Sequence, residues 1–230
     1  MSEPDAGANA HPIIKAVDRT RSSATGDAEV KPDRFPRTSR RMLRIDGVLR
    51  RRQPTLTVVL EDVHDPHNAS AVLRSCDAVG VLDVHLVYAH DPAPIRAFDR
   101  TTSASAAKWI RTHVHESIES CFGLLRSQGF SIQAAALRDD SVDMYALDLA
   151  APTALVFGNE QRGVTDEAVS LADGTFTIPM LGMVESLNIS VACAVSLYEA
   201  MRQRRASGMY DQPQLNAAEL RALGTEWFSR

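Results

Sequence analysis

From Thr55 onward, short runs of consecutive apolar residues alternate with stretches in which apolar residues recur every three to four positions. The runs at 55–61 (TLTVVLE), 84–88 (VHLVY), 130–136, 153–158 (TALVFG) and 175–179 (TFTIP) predict strands. The stretches at 68–79, 117–127, 165–172 and 187–205 predict helices. Strands that lack polar alternation and are separated by helices predict an α/β fold, a parallel sheet covered by helices on both faces. Such a sheet binds its ligands beyond the C-terminal ends of its strands. The helix from Leu187 is apolar around most of its circumference (Ile189, Val191, Ala192, Val195, Leu197, Tyr198, Met201) and therefore predicts burial on two sides. One side can be its own sheet; the other is either a subunit partner or an internal neighbour.

Before Thr55 the pattern changes. Residues 1–38 are expected to be a flexible extension, because residues 1–33 are rich in Ser, Ala, Gly, Asp and Pro and lack periodicity. Within 39–53, Met42, Leu43, Ile45, Val48 and Leu49 fall at helical spacing among arginines and predict a basic amphipathic helix. Residues 54–206 form the main domain, and 207–230 a tail with a short helix, too short to be a domain.

Composition limits what these elements can do. With 230 residues, 44% hydrophobic and 23% charged, the chain can bury a sizeable core, and wholesale disorder is excluded. No apolar run reaches the roughly 18 residues needed to cross a bilayer, and no signal peptide is evident, so a soluble cytoplasmic protein without membrane contact is expected. Cys76, Cys121 and Cys193 read as reduced core thiols, and no Cys/His spacing along the chain suggests a zinc site, so no metal is expected. The net charge of -4 hides a local excess: between Arg34 and Arg52, eight arginines face one acid, Asp46. A charge run of this kind is either a solvated face or a polyanion site, and the missing compensating Glu favours the polyanion. Arg40, Arg41, Arg44, Arg50, Arg51 and Arg52 are its candidate RNA contacts.

Three clusters carry candidate chemistry. In the first, residues 61–75, Asn68 is placed at the N-cap of a helix, and Arg74, six residues on, could join the helix amides in an anion site. His64 and His67 flank Pro66, which predicts an extended segment ill-suited to a metal. In the second, Phe157-Gly-Asn-Glu160-Gln-Arg-Gly163, a glycine turn leaves a buried strand with Glu160 at its edge. The Gly-Lys-Ser/Thr ending of a nucleotide phosphate loop is absent. The third runs Ile178-Pro-Met-Leu-Gly-Met-Val-Glu-Ser186-Leu-Asn188-Ile-Ser190 into the long helix.

The segments RRQPTLTV from Arg51, HNASAVLR ending at Arg74, DAVGV from Asp77, and IPMLGMVESLNIS from Ile178 resemble, in this order, the SpoU branch of the SPOUT superfamily of RNA 2′-O-ribose methyltransferases. The resemblance extends from about Arg40 to Tyr210 and is strongest to members acting on a tRNA guanosine. It implies a C-terminal deep trefoil knot, which pattern reasoning would not have reached. It also implies a homodimer, S-adenosylmethionine as cofactor, and 2′-O-methylation of guanosine 18 in the tRNA D-loop. By matching position it implies catalytic and substrate-side roles for Asn68, Arg74, Glu160, Ser186 and Asn188, and cofactor contacts for Ala135, Gly158, Ile178 and Leu187. This chain departs from the pattern in its N-terminal extension, its short tail after Tyr210, and Glu185 where a glutamine is familiar.

A ribose 2′-hydroxyl attacks a methyl group only once its proton is being removed. Arginine, with a pKa above about 12, is a poor literal base, so Arg74 is expected to clamp phosphate and stabilise the developing alkoxide. The rival readings are an rRNA ribose or tRNA wobble-ribose enzyme of the same branch, a non-catalytic RNA-binding protein on the knotted scaffold, and a metabolic enzyme on an ordinary doubly wound fold.

Overall fold

The computed structural model describes residues 35–89 and 106–230. The extension expected over 1–38 lies outside the described residues up to position 34; from Phe35 the chain is already helical. Seven strands form one sheet: β1 (Leu56–Glu61), β2 (Asp83–Val87), β3 (Arg111–His115), β4 (Ser131–Ala135), β5 (Val142–Asp143), β6 (Thr153–Phe157) and β7 (Gly174–Thr177). Their order is β3-β2-β1-β6-β4-β7-β5, and every pairing is parallel. The helices are α1 (Phe35–Leu49), α2 (Pro66–Val79), α3 (Ile118–Ser127), α4 (Asp166–Leu171), α5 (Ile189–Ala206) and α6 (Ala217–Ser229). The expected α/β architecture is present, and among the described residues no helix is long and apolar enough to cross a membrane.

The central strands β1 and β6 are buried at every position because both faces of the sheet are covered. On one face, Leu56, Val58 and Leu60 pack with Val72, Leu73 and Cys76 of α2 and with Cys193, Leu197 and Ala200 of α5. On the other, Val59, Ala154 and Val156 pack with Cys121, Phe122 and Leu125 of α3 and Ala168 of α4. A third cluster joins Ile45 and Leu49 of α1 to Leu223 and Trp227 of α6, so the basic helix and the C-terminal tail, two separate segments of the chain, share one core. The second side of α5 is an internal neighbour, α2. A stripe on α5 nevertheless stays open, with Val191 47% and Tyr198 51% exposed.

Several local expectations are corrected. Strand β3 and the two-residue β5 were missed: β3 reads Arg-Thr-His-Val-His, is largely exposed, and carries too few apolar residues to register as a strand. The basic helix was expected within 39–53 but spans Phe35–Leu49, and Met42 and Leu43 face solvent while Ile45 and Leu49 are buried. The N-cap of α2 is Asp65, not Asn68; Asp65 Oδ1 accepts from His67 N at 2.9 Å. Pro66, expected to hold the segment extended, opens the helix instead, where its fixed φ is already helical and its missing N–H would have had no partner. Arg52, expected to meet RNA, is fully buried: it donates to Val81 O at 2.8 Å, pairs with Asp77 Oδ1 at 2.6 Å, and lies 5.0 Å from the Trp227 ring centroid. Its charge locks α2 to the start of β2 and is withdrawn from the surface.

Arg204 near the end of α5 is a second buried cation. Its guanidinium donates to the carbonyls of Leu149, Thr55 and Ala151 and to Thr55 Oγ1, all within 2.8–2.9 Å, and to Gln53 Oε1 at 3.3 Å. Burial lowers its pKa from 12.5 to about 10, still far above neutrality, so it remains charged. Arg204→Met should strand these buried carbonyls and cost about 3–5 kcal/mol. For a chain of this size that is a fall in Tm of roughly 6–20 °C. Differential scanning calorimetry checks it, and Arg204→Lys should restore only part of the loss because an ammonium cannot reproduce the planar fork.

Candidate active site

The C-terminal ends of β4, β6 and β7 open into a cavity of about 500 Å³. That size falls within the range of small-molecule sites. Ala135 continues from β4, Gly158 from β6 and Ile178 from β7, and Leu187 closes the wall from the loop before α5. All four residues that the resemblance assigns to the cofactor therefore line one cavity. Glu160 and Ser186 line it as well.

The cavity depends on a tight turn. Gly163, with φ 70, folds residues 159–163 back so that Gly163 N donates to Asn159 O at 2.8 Å. A Cβ on Gly158 would lie 2.0 Å from Gly163 O, a distance no side chain tolerates. The turn is held from both ends by β1: Asn159 Nδ2 donates to Asp62 O at 2.8 Å, and Glu61 accepts from Thr165 N at 2.9 Å and from Thr165 Oγ1 at 2.5 Å. Glu61 is 1% exposed. Asn159, Glu61 and Thr165 are supporting residues that the sequence reading did not single out. Glu61 stood in the first cluster and Asn159 in the second, but nothing local says that two strand ends will meet.

At the mouth of the cavity the three clusters converge. Asn68, freed from capping α2, donates from Nδ2 to Glu160 Oε1 at 2.6 Å, and its Oδ1 accepts from Asn188 Nδ2 at 3.2 Å. Asn188 is in turn the N-cap of α5, its Oδ1 accepting from Ser190 N at 2.9 Å and Ser190 Oγ at 2.6 Å. Helix α5 thus begins at Ile189, two residues later than expected, and the capping geometry fixes the Asn188 amide facing Asn68. The chain Glu160, Asn68, Asn188 is a line of hydrogen bonds that joins the turn after β6, the first turn of α2 and the N-cap of α5. Ser186 is exposed at the rim and Glu185 stands beside it. Arg74 is exposed six residues along α2 from Asn68, a rise of roughly 9 Å, and is not part of this chain or of the cavity wall.

The donor set fits S-adenosylmethionine. Apolar surface from Ala135, Ile178 and Leu187 can cover an adenosyl group, and the Gly158 turn brings backbone groups close. The carboxylates of Glu160 and Glu185 are the right sign for a sulfonium cation. The arginines of the basic segment divide: Arg40, Arg41, Arg44 and Arg51 are exposed, Arg50 is exposed but paired to Asp46 at 2.7 Å, and Arg52 is buried.

Residues 55–198 match the model of the SpoU rRNA Methylase family. The tRNA (guanosine(18)-2'-O)-methyltransferase of Thermus thermophilus is 49% identical over 194 residues, covering 84% of this chain and 98% of that protein. Among solved structures, an Aquifex aeolicus TrmH/SpoU tRNA modifying enzyme is similar with a TM-score of 0.75 and 36% identity, covering 84% of this chain and 96% of that one. An AdoMet-bound rRNA methyltransferase from Sinorhizobium meliloti is similar with a TM-score of 0.55 and 28% identity, covering 66% of this chain and 61% of that one.

Gly158→Ala should push the 159–163 turn out of place and weaken S-adenosylmethionine binding by roughly tenfold or more. Gly123→Ala, in α3 with nothing within 4 Å of the added Cβ, should leave that affinity unchanged. Isothermal titration of both variants checks the contrast.

Proposed function

The chain belongs to the SpoU rRNA Methylase family, and from that membership we propose that it methylates the ribose 2′-hydroxyl of guanosine 18 in tRNA. The observation that carries this reading is the hydrogen-bonded line Glu160, Asn68, Asn188 at the mouth of the cavity that Ala135, Gly158, Ile178 and Leu187 enclose. It brings polar groups from all three clusters together beside that cavity, which supports the reading that a ribose meets a methyl donor there. S-adenosylmethionine, when bound there, supplies the electrophilic methyl group. The similarity to the Thermus thermophilus tRNA enzyme over nearly its whole length favours tRNA over the rRNA and wobble-ribose readings. Retention of the complete polar line counts against a non-catalytic RNA-binding protein.

Each residue has a role its placement supports. Asn68 orients the ribose, because its amide is held at both ends and has no freedom to rotate. Glu160 sets that orientation by accepting from Asn68 and would supply negative charge to a sulfonium bound in the cavity it lines. Asn188 fixes Asn68 from the start of α5, and Ser186 offers a hydroxyl at the rim to the substrate. Arg74, exposed on α2, clamps a phosphate of the bound RNA and stabilises the developing 2′-alkoxide, while phosphate or water takes the proton. Arg40, Arg41, Arg44 and Arg51 supply phosphate contacts that position the tRNA without reading its bases. Arg50 joins them when its pair with Asp46 opens.

The active species is a homodimer, and its knotted C-terminal segment is part of the interface. Leu181 and Met183 are fully exposed, Val184 is 62% exposed, and Val191 and Tyr198 of the following helix α5 are exposed as well. So much apolar surface next to a site suits a second copy of the chain. The enzyme acts in the cytoplasm, where tRNA is found.

Two measurements test this reading. Unmodified tRNA transcript incubated with the protein and S-adenosylmethionine, then digested and analysed by mass spectrometry, should carry one 2′-O-methyl group, at guanosine 18. A methyl group elsewhere, or none, overturns the substrate assignment. In the same assay Arg74→Ala should lose roughly 100-fold or more in rate. Its cofactor affinity should be unchanged, and Arg74→Lys should remain poor. For the dimer, light scattering should give twice the mass of one chain at micromolar concentration, and Val191→Asp with Tyr198→Asp should shift it to monomer and abolish transfer.

A further inference from the structure

At the far edge of the sheet from the cavity, three potential ligands from separate parts of the chain point at one another. His85 on β2 and His115 on β3 sit on the same face, because Val87 is the register partner of His115 and His85 is two residues before it. Their ring nitrogens, His85 Nδ1 and His115 Nε2, are 2.9 Å apart. Helix α3 covers that face, and its buried Cys121 brings Sγ into the group, so that one nitrogen from each histidine and the sulfur lie within 4.8 Å of one another. We propose that His85, His115 and Cys121 bind a single zinc-class divalent cation that staples edge strand β3 and helix α3 to β2.

The geometry is close to what such an ion needs. Zinc bonds of about 2.0–2.1 Å to nitrogen and about 2.3 Å to sulfur put tetrahedral ligand atoms roughly 3.3–3.7 Å apart. Small rotamer adjustments reach that from the observed spacing. Two imidazoles and a thiolate are the donor set of a borderline-soft metal such as zinc or cobalt, not of magnesium or calcium. His115 is only partly buried, so solvent can reach the cluster from its side.

Surrounding groups hold the ligands in place. His113 stacks on His85 with ring centroids 4.9 Å apart, and its Nε2 is engaged by Asp83 Oδ1 at 2.7 Å, which makes it a positioning residue and not a ligand. Arg111 grips the same carboxylate at 2.8 and 2.6 Å. Burial and the neighbouring His113 and His115 lower the His85 pKa to about 4, so its imidazole is neutral at physiological pH and keeps a lone pair to give. Burial alone raises the Cys121 thiol to about 12, so without metal it stays protonated. On binding, the Cys121 S–H bond breaks, a sulfur–metal bond forms, and the proton leaves to solvent.

The test uses the full chain stripped with a chelator and titrated with cobalt(II). One equivalent per chain should bind, giving the visible bands of tetrahedral cobalt and a near-ultraviolet thiolate-to-metal band, both discharged by zinc. His115→Gln, at a partly exposed position that should not disturb the fold, should weaken binding tenfold or more. Cys121→Ala should erase the thiolate band, whereas Cys193→Ala, a buried thiol of the other face, should keep it. Circular dichroism verifies that each variant is folded. Absence of stoichiometric binding, or binding and spectra unchanged in folded His115→Gln and Cys121→Ala, overturns the site. Methyl transfer is not required for any of these readouts, so the result stands apart from the proposed activity.

Discussion

The site depends on one steric constraint: the backbone of residue 158 runs against the carbonyl of Gly163 at a distance that forbids any Cβ. Strand β6 can end in a hairpin-tight turn only because residue 158 is glycine and Gly163 accepts a positive φ. That turn places Glu160 over the cavity and within reach of Asn68. It is stabilised from the neighbouring strand, since Glu61 at the end of β1 accepts two hydrogen bonds from Thr165, the N-cap of α4. A buried carboxylate needs such donors, and here they also fix where the loop must land.

Buried arginines play the corresponding part elsewhere. Arg204 ties the end of α5 to the segments that lead into β1 and β6, and Arg52 ties the segment before β1 to α2, β2 and the Trp227 ring. Long planar cations with several donors can satisfy many backbone carbonyls at once where segments cross, which an apolar side chain cannot do. Because the cation of Arg52 is consumed inside, the surface charge available to a polyanion is carried by α1 and Arg51. A protein of net charge -4 can therefore still present a locally positive face.

The two ends of the sheet differ in character. The β4, β6 and β7 end is lined by backbone and apolar groups, with its polar line held by caps and strand ends. The β2 and β3 end concentrates Asp83 and His85 of β2 with Arg111, His113 and His115 of edge strand β3 on one face, where charged side chains on the edge also discourage pairing with another chain. The residues that line the cavity and those of the histidine cluster are separate sets joined by the sheet.

The local pattern of apolar residues by itself determined the central strands, four of the helices and the parallel covered sheet, because burial on both faces leaves a continuous apolar run that no partner is needed to interpret. The glycine turn and the polar residues of the three clusters were legible for a similar reason, since turns and caps are short-range. What tertiary structure decided is everything that depends on which segments meet. Asn68 was read as a cap, but Asp65 and Pro66 start the helix one turn earlier, which leaves the Asn68 amide to bond with Glu160 and Asn188. Arg52 was read as an RNA contact, but charge in a sequence carries no information on burial, and Asp77 and Trp227 lie 25 and 175 residues away. Strand β3 was missed because an exposed edge strand has little apolar signal. His85, His115 and Cys121 belong to two strands and a helix, and spacing along the chain cannot reveal a cluster that exists only through the register of β2 with β3 and the packing of α3 over them.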